Sequence, residues 1–361
     1  MKSILIIVGN SLRINEGFVE YLKREACSRL GKIDSTISLA ESDKDLFLVI
    51  GEAYEKYDNI LVAAEEGAYA TVSKIVATLF EDILEVKEEN LVPSKAARFS
   101  KDSFLMEEKK KINVLKAIPT KRLPEIFIEN RLEYAVLNIF DLSKEKIEKK
   151  LEPLANTYET SLIYTDIVPK WTKVVAKSGK YGDLAMFVQN AKLLMPKNLI
   201  ISDNPFEYLI ERFTAAKRYV TFAESCTGGA LASMLTKVPG SSAVFKGSLV
   251  TYANEIKSSW LAVKPKTLKE HGAVSEETVK EMLNGALKVS ESDYAVAISG
   301  IAGPGGGTPQ KPVGTVIVGA RSKEKEIVTR VRFCGDRNYI QYQAAMYGIK
   351  LLFRVAQKDL F

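Results

Sequence analysis

Histidine, cysteine and long apolar runs are what this 361-residue sequence has least of. His271 is its single histidine, and its three cysteines are Cys27, Cys226 and Cys334. These make no CxxC pair, which argues against a disulfide framework and against a zinc site. A Ser-His-Asp or Cys-His mechanism would have to pass through His271 alone. That residue stands in a turn, Glu270-His271-Gly272, ahead of a helix that Ser275 would cap. If a serine does hydrolysis here, lysine becomes the leading base. No apolar run reaches the ~18 residues that cross a bilayer. The N-terminal run 4–8 is too short for a signal sequence and reads as a first buried strand. The expected setting is a reducing cytoplasm.

Charge, by contrast, is abundant and of both signs. Fifty-one basic and 45 acidic residues leave a net charge of +6. Around 144–150 lysines and glutamates alternate so that, on a helix, Lys144 faces Glu148 and Glu145 faces Lys149. Such a pattern is a solvated surface, and a nucleic-acid partner is not expected. A hydrophobic content of 46% and a charged content of 27% are those of a soluble globular chain. Its length calls for about two or three domains.

Three sections are expected. In the first, 1–135, strands at 4–8, 35–38 and 59–62 alternate with helices near 16–30, 43–56 and 68–84, which predicts a parallel α/β layer. Periodicity is lost over 90–111, read as a long loop, and 114–118 and 134–139 read as returning strands. The second, 136–203, is a small α+β section with a charged helix up to Leu154 and another helix at 183–194. The third, 204–361, is the most regular, with apolar strands near 219–222, 245–252, 294–299, 313–321 and 326–333 and a long final helix at 336–357.

The richest stretch is Ala-Glu-Ser-Cys-Thr-Gly-Gly at 223–229, between an apolar run and a helical one. It places the hydroxyls of Ser225 and Thr227 where a strand turns into a helix. The first N–H groups of a helix are unpaired and carry partial positive charge. Such a corner can hold an anion, or hold a serine while N–H groups stabilise an oxyanion. The simpler alternative is a capped helix. Further on, Tyr252 ends a strand and Lys257 lies about one turn into the next helix. A lysine becomes a base when burial lowers its pKa from ~10.4. Serine, lysine and tyrosine together can replace histidine; the alternative is a surface lysine beside a strand-end aromatic. The glycine loop Gly303-Pro304-Gly305-Gly306-Gly307 is neither a Walker loop nor a dinucleotide fingerprint, since no Gly-Lys-Ser/Thr follows and the next element is a strand. It can let a ligand approach the backbone, or merely cross between strands. Arg337, in the first turn of a helix that Asp336 would cap, is set against the helix dipole and is a candidate anion ligand. The Ser225 corner, the Ser241-Ser242 turn, the 252–257 segment and the glycine loop are all expected at the same end of the sheet.

This third section resembles the C-terminal domain of CinA-type proteins, the PncC nicotinamide-nucleotide amidohydrolases. The matching stretches are 223–229, Pro-Gly-Ser-Ser at 239–242, Val-Thr-Tyr-Ala-Asn-Glu-Ile-Lys at 250–257, His-Gly-Ala-Val-Ser at 271–275, Ser-Gly-Ile-Ala-Gly-Pro-Gly-Gly-Gly at 299–307, Lys-Pro-Val-Gly-Thr-Val at 311–316 and Gly-Asp-Arg at 335–337. The first section resembles, more weakly, the family's molybdopterin-binding-like N-terminal domain, and the second occupies the place of its KH-like linking domain. Where the family has Gly-Gly-Leu-Gly-Pro-Thr after the third strand, this chain has Ala63-Ala64-Glu65-Glu66-Gly67. That departure predicts that an ADP-ribose pyrophosphatase activity associated with the domain in some relatives is absent or much reduced.

The resemblance implies a fold, a substrate and a site. The fold is α/β, with a three-layer α/β C-terminal domain. The substrate is nicotinamide mononucleotide, deamidated to nicotinate mononucleotide and ammonia without a cofactor or metal; a divalent metal would enter only if the first domain were an active pyrophosphatase. The catalytic set falls on Ser225, Ser242, Tyr252 and Lys257, with the nucleophile open between the two serines. Thr227, Gly228, Gly303, Gly305, Gly306 and Arg337 would bind substrate. A homodimer is expected. The alternatives are a nucleotide pyrophosphatase acting through the first domain and a non-catalytic competence- or damage-associated protein.

Overall fold

The computed structural model describes residues 2–129 and 134–361. The chain divides into two compact units, 1–132 and 133–361. In the first, a six-stranded sheet runs in the order Ser35–Leu39, Ser3–Val8, Asn59–Ala64, Lys111–Lys116, Ser103–Glu107, Arg98–Ser100. The first four strands are parallel and the last two antiparallel. Ser3–Val8 is buried at every position, as a strand covered on both faces must be. Ile4, Ile6 and Val8 pack on one core and Leu5 and Ile7 on the other.

Residues 90–111 are not a loop. They hold the strands Asn90–Pro93, Arg98–Ser100 and Ser103–Glu107. Three to five residues each, these are too short for alternation to register. The expected strand at 134–139 is real, but it opens the second unit as Tyr134–Phe140.

The acidic departure after the third strand has a structural role. Glu65 turns inward and accepts from Ser11 N at 2.9 Å and Ser11 Oγ at 2.5 Å. A Cβ on Gly9, whose φ is +136°, would stand 2.3 Å from it, so only glycine admits this side chain. The carboxyl therefore lies across the ends of Ser3–Val8 and Asn59–Ala64, where the strand order reverses and open α/β sheets take ligands. Neighbouring Glu65 raises the pKa of Glu41 by hydrogen bonding and charge. Glu66 is exposed.

The second unit holds two sheets. The first is antiparallel, ordered Thr160–Val168, Trp171–Ser178, Tyr134–Phe140, Leu199–Ile201. Helices Lys144–Thr157 and Leu184–Leu194 complete a β-α-β-β-α-β arrangement. The other has five strands, ordered Phe245–Val250, Val220–Glu224, Tyr294–Gly300, Thr315–Arg321, Glu326–Arg332, parallel across the first three and antiparallel thereafter. Helices sandwich it. Leu209, Leu231 and Ile349, from Pro205–Ala216, Ala230–Thr236 and Arg337–Val355, share one core, while Leu261 and Met282, from Asn254–Leu261 and Glu276–Ser290, share the other. This is a three-layer α/β domain.

Candidate active site

Ser225 follows the strand Val220–Glu224, whose five residues are all buried. Its own N–H donates to Ile298 O at 2.9 Å, tying the turn to the central strand. Glu224, the last strand residue, is fully buried, and its side chain takes up the start of the next helix. It accepts from Gly229 N at 3.1 Å and from Leu231 N and Ala232 N at 3.0 Å. Ser248 Oγ donates to it at 3.1 Å. The helix-start N–H groups expected to receive an oxyanion are thus already occupied by a carboxyl group, the usual partner of a helix N-terminus. What stays open is the turn itself. The N–H groups of Cys226 and Thr227 have no protein acceptor among the described residues. Gln341 Nε2 donates to Cys226 O at 2.7 Å and fixes that turn from the long helix.

Lys257 is fully buried, with its Nζ 3.1 Å from Ser225 Oγ. The same nitrogen donates to Thr251 O at 2.7 Å and to Tyr252 O at 3.1 Å. Burial lowers its pKa below the ordinary lysine value. A neutral amine has two N–H bonds and one lone pair. Nζ donates to Ser225 Oγ in the structure; in the neutral form the two carbonyls would take the N–H bonds and leave the lone pair for the hydroxyl proton of Ser225. Cys226, beside it, is no rival nucleophile: burial pushes its thiol up to about 12.

Ser225, Lys257 and Tyr252 line a cleft of about 270 Å³ together with Gly303, Gly305, Gly306 and Arg337. Arg337 donates to Gly303 O at 2.7 Å and to Tyr252 Oη at 3.1 Å. Gly303 has φ +82°, and a Cβ there would lie 2.6 Å from Val313. The cleft lining carries the Arg337 guanidinium and no acidic side chain, which favours an anionic ligand. The N–H groups of Gly303, Gly305 and Gly306 have no protein acceptor among the described residues.

Three expectations need correcting. Ser242 lies in a 3₁₀ turn, Ser241–Ala243, that precedes the strand Phe245–Val250, whereas Tyr252 follows that strand. A six-residue strand is ~20 Å long, so Ser242 is at the opposite edge of the sheet from Ser225. The Tyr252 hydroxyl meets Arg337 and not the lysine, which it holds through its carbonyl. Thr227 is buried with its hydroxyl unpartnered, and neither it nor the exposed Gly228 lines the cleft. His271 is exposed and lies 3.8 Å from Glu277. Glu224 and Gln341 brace the nucleophile turn and were not anticipated. A glutamate at a strand end gives no sign of burial, and Gln341 is 116 positions from Ser225 in sequence. Among the described residues no group of three or more His, Cys, Asp or Glu is placed to hold a metal ion, and no helix is long and apolar enough to cross a membrane.

Comparison with known proteins places this site in a family. Residues 204–356 match the CinA C-terminal domain. A "CinA-like protein" of Endomicrobium trichonymphae is 38% identical over 61% of this chain; the match spans 54% of that protein, so about half its length. A "Putative competence-damage inducible protein" of Clostridium beijerinckii is 28% identical over 98% of this chain and 90% of its own. The "Nicotinamide-nucleotide amidohydrolase PncC" of Escherichia coli strain K12 is 50% identical over 37% of this chain and 82% of its own. With half of the aligned residues identical over 82% of that last protein, and residues 204–356 matching the domain model, the chain belongs to the CinA family.

Proposed function

We propose that the second unit is an amidohydrolase that deamidates nicotinamide mononucleotide. The observation that carries the reading is the fully buried Lys257 Nζ, 3.1 Å from Ser225 Oγ, in a domain similar to a named nicotinamide-nucleotide amidohydrolase. Ser225 Oγ attacks the carboxamide carbon, and its proton passes to Lys257 Nζ. The N–H of Cys226, which lines the cleft beside Ser225, receives the oxyanion. On collapse the C–N bond breaks, and Lys257 returns its proton to the leaving nitrogen, which departs as ammonia. Water then attacks the acyl-serine ester and gives a proton to Lys257. The lysine passes it to Ser225 Oγ as nicotinate mononucleotide leaves. Arg337 and the free N–H groups of the glycine loop suit the phosphate, and Tyr252 orients Arg337.

The test is ammonia release from nicotinamide mononucleotide by the full chain and by Ser225→Ala, Ser242→Ala and Lys257→Ala. The expected result is loss in the Ser225 and Lys257 variants and retention in the Ser242 variant. Full activity in Ser225→Ala would sink the assignment. No observation favours pyrophosphatase chemistry in the first unit, where the carboxylate of Glu65 lies at the switch point.

A further inference from the structure

Residues 271–274 run from the end of the helix Pro265–His271 into a turn beside the cleft, and all four of their main-chain carbonyls are held by side chains. His271 O and Val274 O both accept from Lys311 Nζ, at 3.1 and 2.7 Å. Gly272 O accepts from Ser275 Oγ and Thr278 Oγ1, each at 2.8 Å. Ala273 O accepts from Ser299 Oγ at 2.7 Å. The N–H groups of Ala273 and Val274 meanwhile have no protein acceptor among the described residues, and both residues line the cleft. Lys311 does not itself line the cleft but lies in the segment after the glycine loop that forms its other wall. It follows the glycine loop and is fixed there by a tight turn: Thr308 N donates to Lys311 O at 2.9 Å, and Lys311 N to Thr308 Oγ1 at 3.0 Å. One side chain thus joins two loops that both line the cleft.

The geometry points to Lys311 as a positioning residue that straps the 271–274 turn to the glycine loop and so fixes a wall for a flat heteroaromatic carboxamide ring. Ala273 and Val274 supply apolar surface to that wall, and their unpaired N–H groups supply donors for a ligand acceptor. Lys311 acts through the turn and bonds to carbonyls, not to Ser225 or Lys257. Its removal therefore weakens ground-state and transition-state binding alike, which raises KM and spares kcat. Two charge-assisted hydrogen bonds are lost, enough for an effect of about tenfold. The ring named here rests on the deamidase reading; the strap itself does not.

The test compares the full-length wild type with Lys311→Met and Lys311→Arg. In the methionine variant KM for nicotinamide mononucleotide rises about tenfold while kcat stays within about twofold, and amide exchange at Gly272, whose N–H donates to Leu268 O at 3.0 Å, accelerates. Arginine, which can still donate to two carbonyls, restores both. An unchanged KM, a fall in kcat as large as the fall in kcat/KM, or unchanged amide exchange in a folded Lys311→Met would overturn the proposal. If wild type releases no ammonia from this substrate, the deamidase reading fails. The exchange comparison then decides the strap by itself, acceleration in the methionine variant supporting it and none refuting it.

Discussion

At the residue scale the site turns on one amine. Lys257 is fully buried and bonded to two carbonyls, and burial lowers its pKa. Lys257→Ala is expected to cut ammonia release by about 10³-fold, within the usual range for losing a general base. Lys257→Arg should not restore it, because a guanidinium keeps its proton. The same shift fixes the pH dependence. As pH falls through the lowered pKa, the amine takes a proton and loses its lone pair, so the rate falls on the acid side. The stability sign follows from linkage. Between the lowered folded pKa and the unfolded value of ~10.4, the unfolded chain binds more protons, so stability rises with pH across that window. Urea unfolding at several pH values should show the wild type gaining on Lys257→Met as pH is raised from 7 toward 10.5; parallel curves would contradict the shift. That a serine, a lysine and an arginine mattered was legible from their positions beside strand-like runs. That Glu224 would lie beneath them was not, because acidic side chains are rarely fully buried and nothing local marks the exception.

At the element scale the short helix Ala230–Thr236 illustrates how the nucleophile turn is built. Seven residues cannot sustain a helix alone. Its N-terminus is completed by Glu224, whose side-chain oxygens take three of its main-chain N–H groups. Glu224→Gln leaves one acceptor oxygen and turns an NH₂ toward N–H donors. The expected cost is about 1–3 kcal/mol, read as a lower urea midpoint for the second unit, together with a fall in kcat because the turn that presents the Cys226 N–H loses its bracing. A variant with unchanged midpoint and kcat would remove this role. The elements themselves were largely readable: the helix Arg337–Val355 and the strand Tyr294–Gly300 fall close to their expected places, since each is long and strongly patterned. Ser242 was misplaced for a topological reason. A turn next to a parallel strand can lie at either end of the sheet, and only the strand's start at Phe245 decides which.

At the scale of the whole molecule the long helix Arg337–Val355 joins the cleft to the four-stranded sheet. Nineteen residues span ~28 Å. Arg337 stands at the cleft end, and toward the other end Lys350 is buried at 2% exposure, donating to Pro169 O at 2.8 Å and lying 3.6 Å from Asp141. Arg354 pairs with the same Asp141 at 2.9 Å, and Phe353 stacks on Phe140 at 5.0 Å. No periodicity distinguishes Lys350 from a surface lysine, because its partners lie in a different sheet. Losing one partner of a buried pair strands the other charge, whereas replacing the charge with an apolar side chain can be neutral or stabilising. Asp141→Ala alone is therefore expected to destabilise the second unit by about 1–3 kcal/mol, Lys350→Met to change it little, and the double variant to recover part of the Asp141→Ala loss. If the two single effects simply add, Lys350 is not the charge that Asp141 serves. If they couple, the sheet is part of the scaffold that supports Arg337, and Asp141→Ala should also raise KM for the nucleotide although it lies at the far end of the helix.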